Sequence, residues 1–467
     1  MILKINIILS ILFFTSFCNS NEILNQSLRD VLVNTYGYSP KLKVERENLY
    51  EKDELIPQAY SDFRPKIEGY YEKGKIDTAI AGSNFIADGV RTETNQGVKI
   101  TQQLFNGGSS VYGISAANNE IFSQRFKLKE IEQEIFLEVI KIYSSVASKK
   151  TEIILNEKNL EFLKKQLDLV EDQFQIGETT LTDVSISKAR LLLAESELIK
   201  SSSDLLALNS KYELLIGIKP KNPELFFNFP DFKKNINEIS QYTIMNNPNL
   251  ESISFEIRSL QNKIKKLYSE KLPSLELQAE ARKNKGYYRS DSAREVMSLY
   301  ATVTVPFYQG GTAASKIREY KKKVSSKIEY KKSKINEIKY KVVEIWSKYN
   351  SSKSKIIAYK KQIEANNNFL DGLKQELFLG ERTVLDILDA EQELVQSEFN
   401  LIKSREENFN AFFEILYYMG NLNSVYLDLP VKHFDDTENY KKIKDFFCRV
   451  MHWWFTFEYY YINKWVF

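Results

Sequence analysis

Two carboxylates, Asp386 and Asp389, stand three residues apart at the start of a predicted helix, after a turn that opens at Gly380. Residues three apart lie on the same face of a helix, so both negative charges are expected on one side of it. The chemistry of such a pair is electrostatic. A carboxylate at a helix start commonly caps free amide groups and interacts with the helix dipole, which is one interpretation of Asp386.

The same turn occurs earlier in the chain. Gly177, Glu178, Thr180 and Asp183 lie 203 residues before Gly380, Glu381, Thr383 and Asp386. A duplicated turn indicates an internal repeat. Both glycines are expected to end the preceding helix with a positive φ angle. Helix capping is an interpretation of Asp183 as well.

Catalytic constellations are absent from the sequence. The only histidines, His433 and His452, lie near the C-terminus, and neither a phosphate-binding glycine loop nor a nucleophile elbow occurs. We therefore expect no enzyme, no cofactor and no metal site. The net charge of +3 gives no concentrated basic face, so nucleic acid is not an expected partner.

Residues 1–20 have the features of a secretory signal peptide: Lys4, an apolar run to Phe17, and small residues at Cys18 and Ser20. After cleavage only Cys448 remains, so an intramolecular disulfide is not expected. No later stretch reaches about 18 consecutive apolar residues, so we expect no membrane-spanning helix. The sequence predicts an exported protein that enters a membrane, if at all, as β-strands.

The predicted repeats cover residues 21–218 and 241–425, with a connecting segment at 219–240 and a tail at 426–467. Pro65 and Pro273 open a strand in each repeat and are 208 residues apart, whereas the glycine pairs at 107–108 and 310–311 are 203 apart. The five-residue difference must lie between strand and glycine pair. A hairpin loop is where such a change costs least.

Alternating apolar and polar residues predict four strands, at about 63–73, 95–105, 273–283 and 296–308. Each is about ten residues long, which is enough to cross a bilayer when tilted. A soluble sheet packed on helices has the same alternation. The export signal favours the membrane interpretation.

A period of about 3.5 residues follows each glycine pair and predicts helices at about 112–176, 182–217, 312–379 and 385–420. This spacing is typical of coiled coils. About 60 residues at 1.5 Å each give a helix on the order of 90 Å long.

Four strands cannot close a barrel, and open sheet edges in lipid leave backbone groups unsatisfied. The barrel must therefore be shared between chains. Two copies give eight strands with a filled interior, and three give twelve strands with space for a channel.

The motifs Leu104–Gly108, Val305–Gly311 and Gly380–Thr383 followed by Asp386–Ala390 occur in order, and the chain resembles the TolC-type outer-membrane channel family over residues 22–425. The resemblance implies a mixed α and β membrane protein in which a homotrimeric 12-stranded β-barrel continues as an α-helical barrel. It implies an exit duct for tripartite efflux or type I secretion, in outer-membrane lipid with a long periplasmic extension. The implied partners are a periplasmic adaptor and an inner-membrane transporter.

The resemblance also assigns roles at the turns, which lie at the periplasmic entrance in the family. Asp386 and Asp389 match acidic rings that narrow the entrance and favour cations. Three copies would bring six carboxylates together, so repulsion should raise some of their pKa values. Arg382 matches a residue whose polar links hold the entrance shut, and Thr182 and Asp183 match its partners on the neighbouring tip.

The hairpin tips are implied to contact the adaptor through Gly177, Glu178, Thr179, Gly380, Glu381 and Thr383. Two positions depart from the family pattern. Leu377 replaces a tyrosine and Lys374 replaces an acid of the closing network, so those hydrogen bonds cannot form here.

Three alternatives remain open from the sequence. One is an exported coiled-coil scaffold or adhesin that has no pore. Within the channel class, drug efflux and protein secretion are not separated, because specificity lies with the transporter. The tail has nine aromatic residues in the 17 positions of 451–467, which could lie at a membrane interface or be an appendage without fixed structure.

Overall fold

The computed structural model describes residues 24, 26–78, 89–226, 229, 232, 235–379 and 381–444. The predicted signal peptide, Gly380, Cys448 and the aromatic end of the tail lie outside these residues. The chain forms two compact units, one of residues up to 46, 127–250 and 334–434, the other of 47–126, 251–333 and 435 onward. Each unit takes segments from both predicted repeats, so the units do not coincide with the repeats.

The described elements alternate short helices, β-hairpins and long helical hairpins. In chain order they are α1 Gln26–Tyr38, α2 Pro40–Asp53, α3 Leu55–Tyr60, β1 Lys66–Thr78, β2 Gly89–Asn106, α4 Ser109–Gln175, α5 Leu181–Ile216, α6 Ile236–Asn246, α7 Pro248–Ser269, β3 Ser274–Lys285, β4 Ala293–Thr304, α8 Thr312–Phe378 and α9 Val384–Tyr418. The predicted plan of a β-hairpin followed by a long helical hairpin, twice, is confirmed.

The four strands form one antiparallel sheet in the order β1-β2-β3-β4, so β2 and β3 join the two hairpins. Register aligns Ile67, Ile100, Ala279 and Leu299 in one row across the sheet, and Gly69, Val98, Ala281 and Met297 in another. The row between them is polar, with Glu68, Lys99, Glu280 and Ser298. One face is thus apolar, and it is exposed: Met297 is 91% and Leu299 68% accessible.

Strand boundaries differ from the predicted ones. Residues 61–63 form a 3-10 turn, so β1 begins at Lys66 and extends to Thr78. Strand β4 ends at Thr304, before the predicted end at 308. Pro306 explains this end, because proline has no amide hydrogen to donate to a strand ladder.

Helices α4 and α8 each contain 67 residues, about 100 Å by helical rise. A glycine pair with positive φ angles precedes each of them, Gly107 and Gly108 in the first repeat and Gly310 and Gly311 in the second. These left-handed conformations turn the chain from strand to helix at little steric cost for glycine. Among the described residues, no helix is both long enough and apolar enough to cross a membrane.

Each helical hairpin contains a buried asparagine–serine pair. Asn156 of α4 donates to Ser201 of α5 at 2.9 Å, and Asn408 of α9 donates to Ser352 of α8 at 3.0 Å. Because a buried polar group is costly without its partner, such pairs favour one register of the two helices. The coiled-coil pattern predicted the helices but not these pairs.

Residues of the connecting segment and of the first part of the tail contact helices α9, α1 and α2. Phe229 stacks on Phe412 of α9 with ring centroids 4.2 Å apart, and Phe232 also contacts Phe412. In the tail, the Phe434 amide donates to the Tyr36 hydroxyl at 2.9 Å. Farther along, Asn439 donates to the buried carboxylate of Asp53 at 2.9 Å. The sequence had assigned this part of the tail no structure.

Candidate functional site

The first turn, between α4 and α5, ends one helix with glycine and begins the next with a capping box. Gly177 has φ +83°, and the Glu178 amide donates to the Gln173 carbonyl at 2.9 Å. Thr180 caps α5: its side chain accepts from the Asp183 amide, and the Asp183 carboxylate accepts from the Thr180 amide at 3.1 Å. Thr179 also donates to this carboxylate, at 2.9 Å.

The second turn repeats this geometry. The Glu381 amide donates to the Glu376 carbonyl at 3.0 Å, which matches the Glu178 contact in the first turn. Thr383 caps α9, and the Asp386 carboxylate accepts from its amide at 2.9 Å and its hydroxyl at 2.8 Å. The capping interpretation of Asp183 and Asp386 therefore describes what both residues do within one chain.

These hydrogen bonds hold both carboxylates in the charged form. The Thr180 side chain and backbone, followed by Thr179, lower the pKa of Asp183 below its usual value. The backbone and side chain of Thr383, with a smaller contribution from the Arg382 charge, lower the pKa of Asp386. The predicted repulsion between chains would act in the opposite direction. Within one chain, capping keeps these groups ionised.

Asp389 has a different environment from Asp386. Arg190 of α5 forms an ion pair with the Asp389 carboxylate and donates to the Gln392 side chain, one turn farther along α9. The same guanidinium lies 3.5 Å from the Leu388 carbonyl oxygen. The two predicted acidic residues are therefore not equivalent, since one caps its own helix and the other binds the first hairpin.

Arg382 and Thr182 occupy the outer surface of their turns. The Arg382 Nε donates to Glu376 at 2.8 Å, and this bond is the main cause of the raised pKa of Arg382. In the single chain that the structure describes, Arg382 therefore contacts its own hairpin. Thr182 is exposed in the first turn of α5.

The two positions that depart from the family pattern make other contacts. Leu377 packs against two apolar clusters, one that contains Leu388 and another that contains Leu373. Lys374 lies 3.8 Å from Asp371 on its own helix, and its ammonium group is 5.9 Å from the Phe162 ring of α4. Leu377 thus contributes apolar packing near the second turn.

An apolar cluster joins the two hairpins close to their turns. The first hairpin contributes five buried residues and the second two, which are Leu163, Leu167, Val170, Leu191, Ala194, Val384 and Leu388. The helical periodicity gave no sign of Arg190 or Glu376, because their partners are fixed by tertiary contacts rather than by periodicity.

Solved structures share this fold. The Campylobacter jejuni CmeC outer membrane channel superposes with a TM-score of 0.74 at 14% identity, covering 92% of each chain. The outer membrane protein VceC from Vibrio cholerae superposes with a TM-score of 0.74 at 14% identity, covering 84% of this chain and 96% of VceC. The fold is therefore that of outer-membrane channel proteins.

The chain belongs to the outer membrane efflux protein family, whose profile matches residues 33–211 and 239–421. It is similar to the outer membrane efflux protein BepC of Brucella suis, at 24% identity over 90% of this chain and 91% of BepC. It is also similar to the alkaline protease secretion protein AprF of Pseudomonas aeruginosa, at 24% identity over 74% of each chain. The predicted family, outer-membrane location and exit-duct function are confirmed.

Proposed function

We propose that the chain assembles as a homotrimer, in which the sheets of three chains close a twelve-stranded barrel in outer-membrane lipid. The observation that carries this proposal is the open four-stranded sheet. Strands β1 and β4 are its edges, and its apolar face is exposed along rows such as Val98 and Met297. Unpaired edges are costly in lipid, and closure with further copies removes them.

The helical turns are proposed to form the periplasmic entrance, with Asp386 and Asp389 lining it. Support comes from the family and from the ionised state of Asp386, whose lowered pKa results from the Thr383 hydrogen bonds. Glu178, Thr179, Glu381 and Thr383 are then available at the tips for an adaptor, together with Gly177 and the undescribed Gly380. The described tip residues are mostly exposed, as a docking surface requires.

A periplasmic adaptor and an inner-membrane transporter are the proposed partners. BepC carries the name of an efflux protein, whereas AprF and the Dickeya chrysanthemi protein PrtF are named for protease secretion. Drug efflux and type I secretion are therefore both supported for this chain. Copurification of the adaptor after cross-linking identifies which system the duct serves.

The assembly is tested by separating the outer-membrane fraction on a gel with and without heating. We expect a heat-modifiable band of trimer size. A protein found only in the soluble periplasm would contradict the duct. The scaffold interpretation predicts no ion conductance when the purified protein is placed in a planar bilayer, whereas the duct predicts discrete channels.

The entrance assignment is tested by Asp386→Ala combined with Asp389→Ala. We expect a lower ratio of K⁺ to Cl⁻ permeability in single channels, because the two substitutions remove negative charge from the narrowest point. The measurement is the reversal potential in a salt gradient. An unchanged ratio would remove both residues from the pore lining while leaving the duct itself intact.

A further inference from the structure

Arg190 reaches from the first hairpin to three groups on the second. Its guanidinium binds the Asp389 carboxylate and the Gln392 side-chain oxygen, and lies 3.5 Å from the Leu388 carbonyl oxygen. These acceptors span one turn of α9. A planar guanidinium has five donors in a fixed fork, so its geometry suits such a spread set of acceptors better than the compact ammonium group of a lysine does.

The strength of the ion pair between Arg190 and Asp389 depends on how exposed the two side chains are. An ion pair between two exposed side chains contributes little, because water screens the charges and both side chains lose freedom. The side chain of Arg190 is only 23% exposed, although that of Asp389 is 62% exposed. Arg190 is also fixed on its helix beside Leu191, which is part of the apolar cluster between the hairpins. Water therefore screens this guanidinium less than it would a fully exposed arginine.

The packing around Arg190 changes along the seam between the hairpins, which is the line of contact between α5 of the first hairpin and α9 of the second. Toward the turns, Leu388 contacts the apolar cluster with Leu191 and Ala194. On the other side a cavity of about 330 Å³ opens between α4, α5 and α9, lined by charged residues such as Glu197 and Glu391 as well as by Arg190. Arg190 thus lies between this cluster and a second apolar contact of the hairpins, in which Leu155 of α4 packs with Val395 and Ile402 of α9.

The repeat contains no second copy of this contact. The residue 203 positions after Arg190 is Glu393, and the residue 203 positions before Asp389 is Ile186. Ile186 packs against the apolar cluster and Glu393 is exposed. The equivalent positions in the other repeat therefore cannot form an arginine–aspartate pair. Among the described residues of one chain, this contact occurs only at the seam between the first and second hairpins.

We propose that Arg190 is a positioning residue of the entrance, which fastens α9 to α5 and neutralises the charge of Asp389. This proposal rests on the proposed function, because it assumes that the turns surround the ion path. With Asp389 paired, Asp386 is the carboxylate that acts on passing ions in the closed duct. Release of Arg190 frees the second hairpin and adds three uncompensated carboxylates per trimer to the entrance.

The test compares Arg190→Gln with Asp389→Asn in single-channel recordings of the purified protein. Both variants break the link, so both are expected to conduct more than the wild type. Their ion preferences should differ in sign. Arg190→Gln leaves Asp389 unpaired and should raise the K⁺ to Cl⁻ permeability ratio about threefold, whereas Asp389→Asn leaves a free cation and should lower it.

The matched control is Lys188→Gln, which removes the same charge from an exposed position on the same helix. It should leave conductance and selectivity near those of the wild type. The conservative Arg190→Lys keeps the charge without the planar fork of donors, so it should preserve selectivity and increase conductance only in part. The charge-swapped double variant R190D/D389R restores the ion pair but not the donors to Gln392 and the Leu388 carbonyl, so it should bring conductance only part of the way back to the wild-type value.

Equal increases in conductance with unchanged selectivity in both single variants would overturn the charge role, since general loosening of the helices gives that result. Wild-type conductance in both would overturn the link as well. If Arg190→Gln does not assemble into trimers, Asp389→Asn and the double variant decide the question. Failure of the wild-type protein to form channels would instead contradict the proposed function.

Discussion

Asp386 and Asp389 illustrate how one chemical group has two roles at the residue scale. Each is a carboxylate of α9, and three residues separate them. The hydrogen bonds of Thr383 fix Asp386 to its own helix, and Arg190 fixes Asp389 to another. The sequence predicted the first contact, because capping depends on residues three apart. It could not predict the second, because Arg190 is 199 residues away and no local pattern points to it.

The capping boxes lead to a prediction for the stability of the turns. Thr383→Ala removes the side-chain oxygen that accepts from the Asp386 amide, and loss of such a cap costs about 1 kcal/mol. Amide hydrogen exchange in the first turn of α9 should therefore accelerate about fivefold, if exchange follows local opening. Mass spectrometry of peptides that cover this turn measures the change.

Thr182→Ala is the matched control for the cap, because Thr182 is an exposed threonine in the first turn of α5 and is not its cap. Exchange should remain at the wild-type rate in this variant. Equal protection of the α9 turn in Thr383→Ala and the wild type would mean that contacts between chains, not the cap, determine the start of the helix.

At the element scale, periodicity predicted the long helices because they are amphipathic over many turns. Their ends also followed from local chemistry, since each lies near a turn that contains glycine, and α5 and α9 begin after the capping residues Thr180 and Thr383. Strand ends were less predictable. The alternation of Val305 and Phe307 continued past the end of β4, but Pro306 interrupts the hydrogen-bonding ladder there. The buried pairs within the hairpins were missed, because asparagine and serine in a heptad have the same pattern as any polar interruption.

The buried asparagine of the first hairpin provides a stability prediction. Asn156→Ala leaves the hydroxyl of Ser201, which is 8% exposed, without its partner. An unsatisfied buried polar group costs about 1–3 kcal/mol. The temperature at which the heat-modifiable band disappears should therefore fall. Gels of samples heated over a range of temperatures measure this change.

Two further variants separate the polar contact from simple truncation. Asn368→Ala changes the same residue type at an exposed position of α8 and should leave the transition temperature unchanged. The double variant N156L/S201A removes both polar groups and should be more stable than Asn156→Ala alone. A double variant that is less stable than the single variant would contradict the pairing argument.

At the scale of the whole molecule, the repeat predicted the elements but not how they group. The compact units combine segments far apart in the chain, for example 47–126 with 251–333. Such grouping depends on long-range contacts that no local window contains. The alignment of strands in the sheet also depends on long-range contacts. Alternation indicated an apolar side for each strand, but only the register shows that Ile67, Ile100, Ala279 and Leu299 lie in one row.

The two faces of the sheet should respond differently to charge. Leu299→Lys places an ammonium group on the apolar face, where a lysine facing lipid costs about 2–4 kcal/mol at mid-depth. We expect less heat-modifiable trimer in the outer-membrane fraction. The neighbouring Ser298→Lys lies on the polar face and should assemble at nearly the wild-type level, because successive strand residues point to opposite faces. Equal loss in both variants would contradict a lipid-facing apolar side.

Helices α4 and α8 have the same number of residues, although the hairpin loops before them differ in length between the repeats. This equality of length implies that insertions are tolerated in the hairpin loops but not within the long helices. An added residue in a hairpin loop displaces little, whereas one added within α8 rotates every following side chain by about 100° around the helix axis. It would turn Leu377 away from the clusters that it contacts and misalign Asp389 with Arg190. We therefore expect a one-residue insertion in these helices to be more disruptive than a substitution at most of their positions.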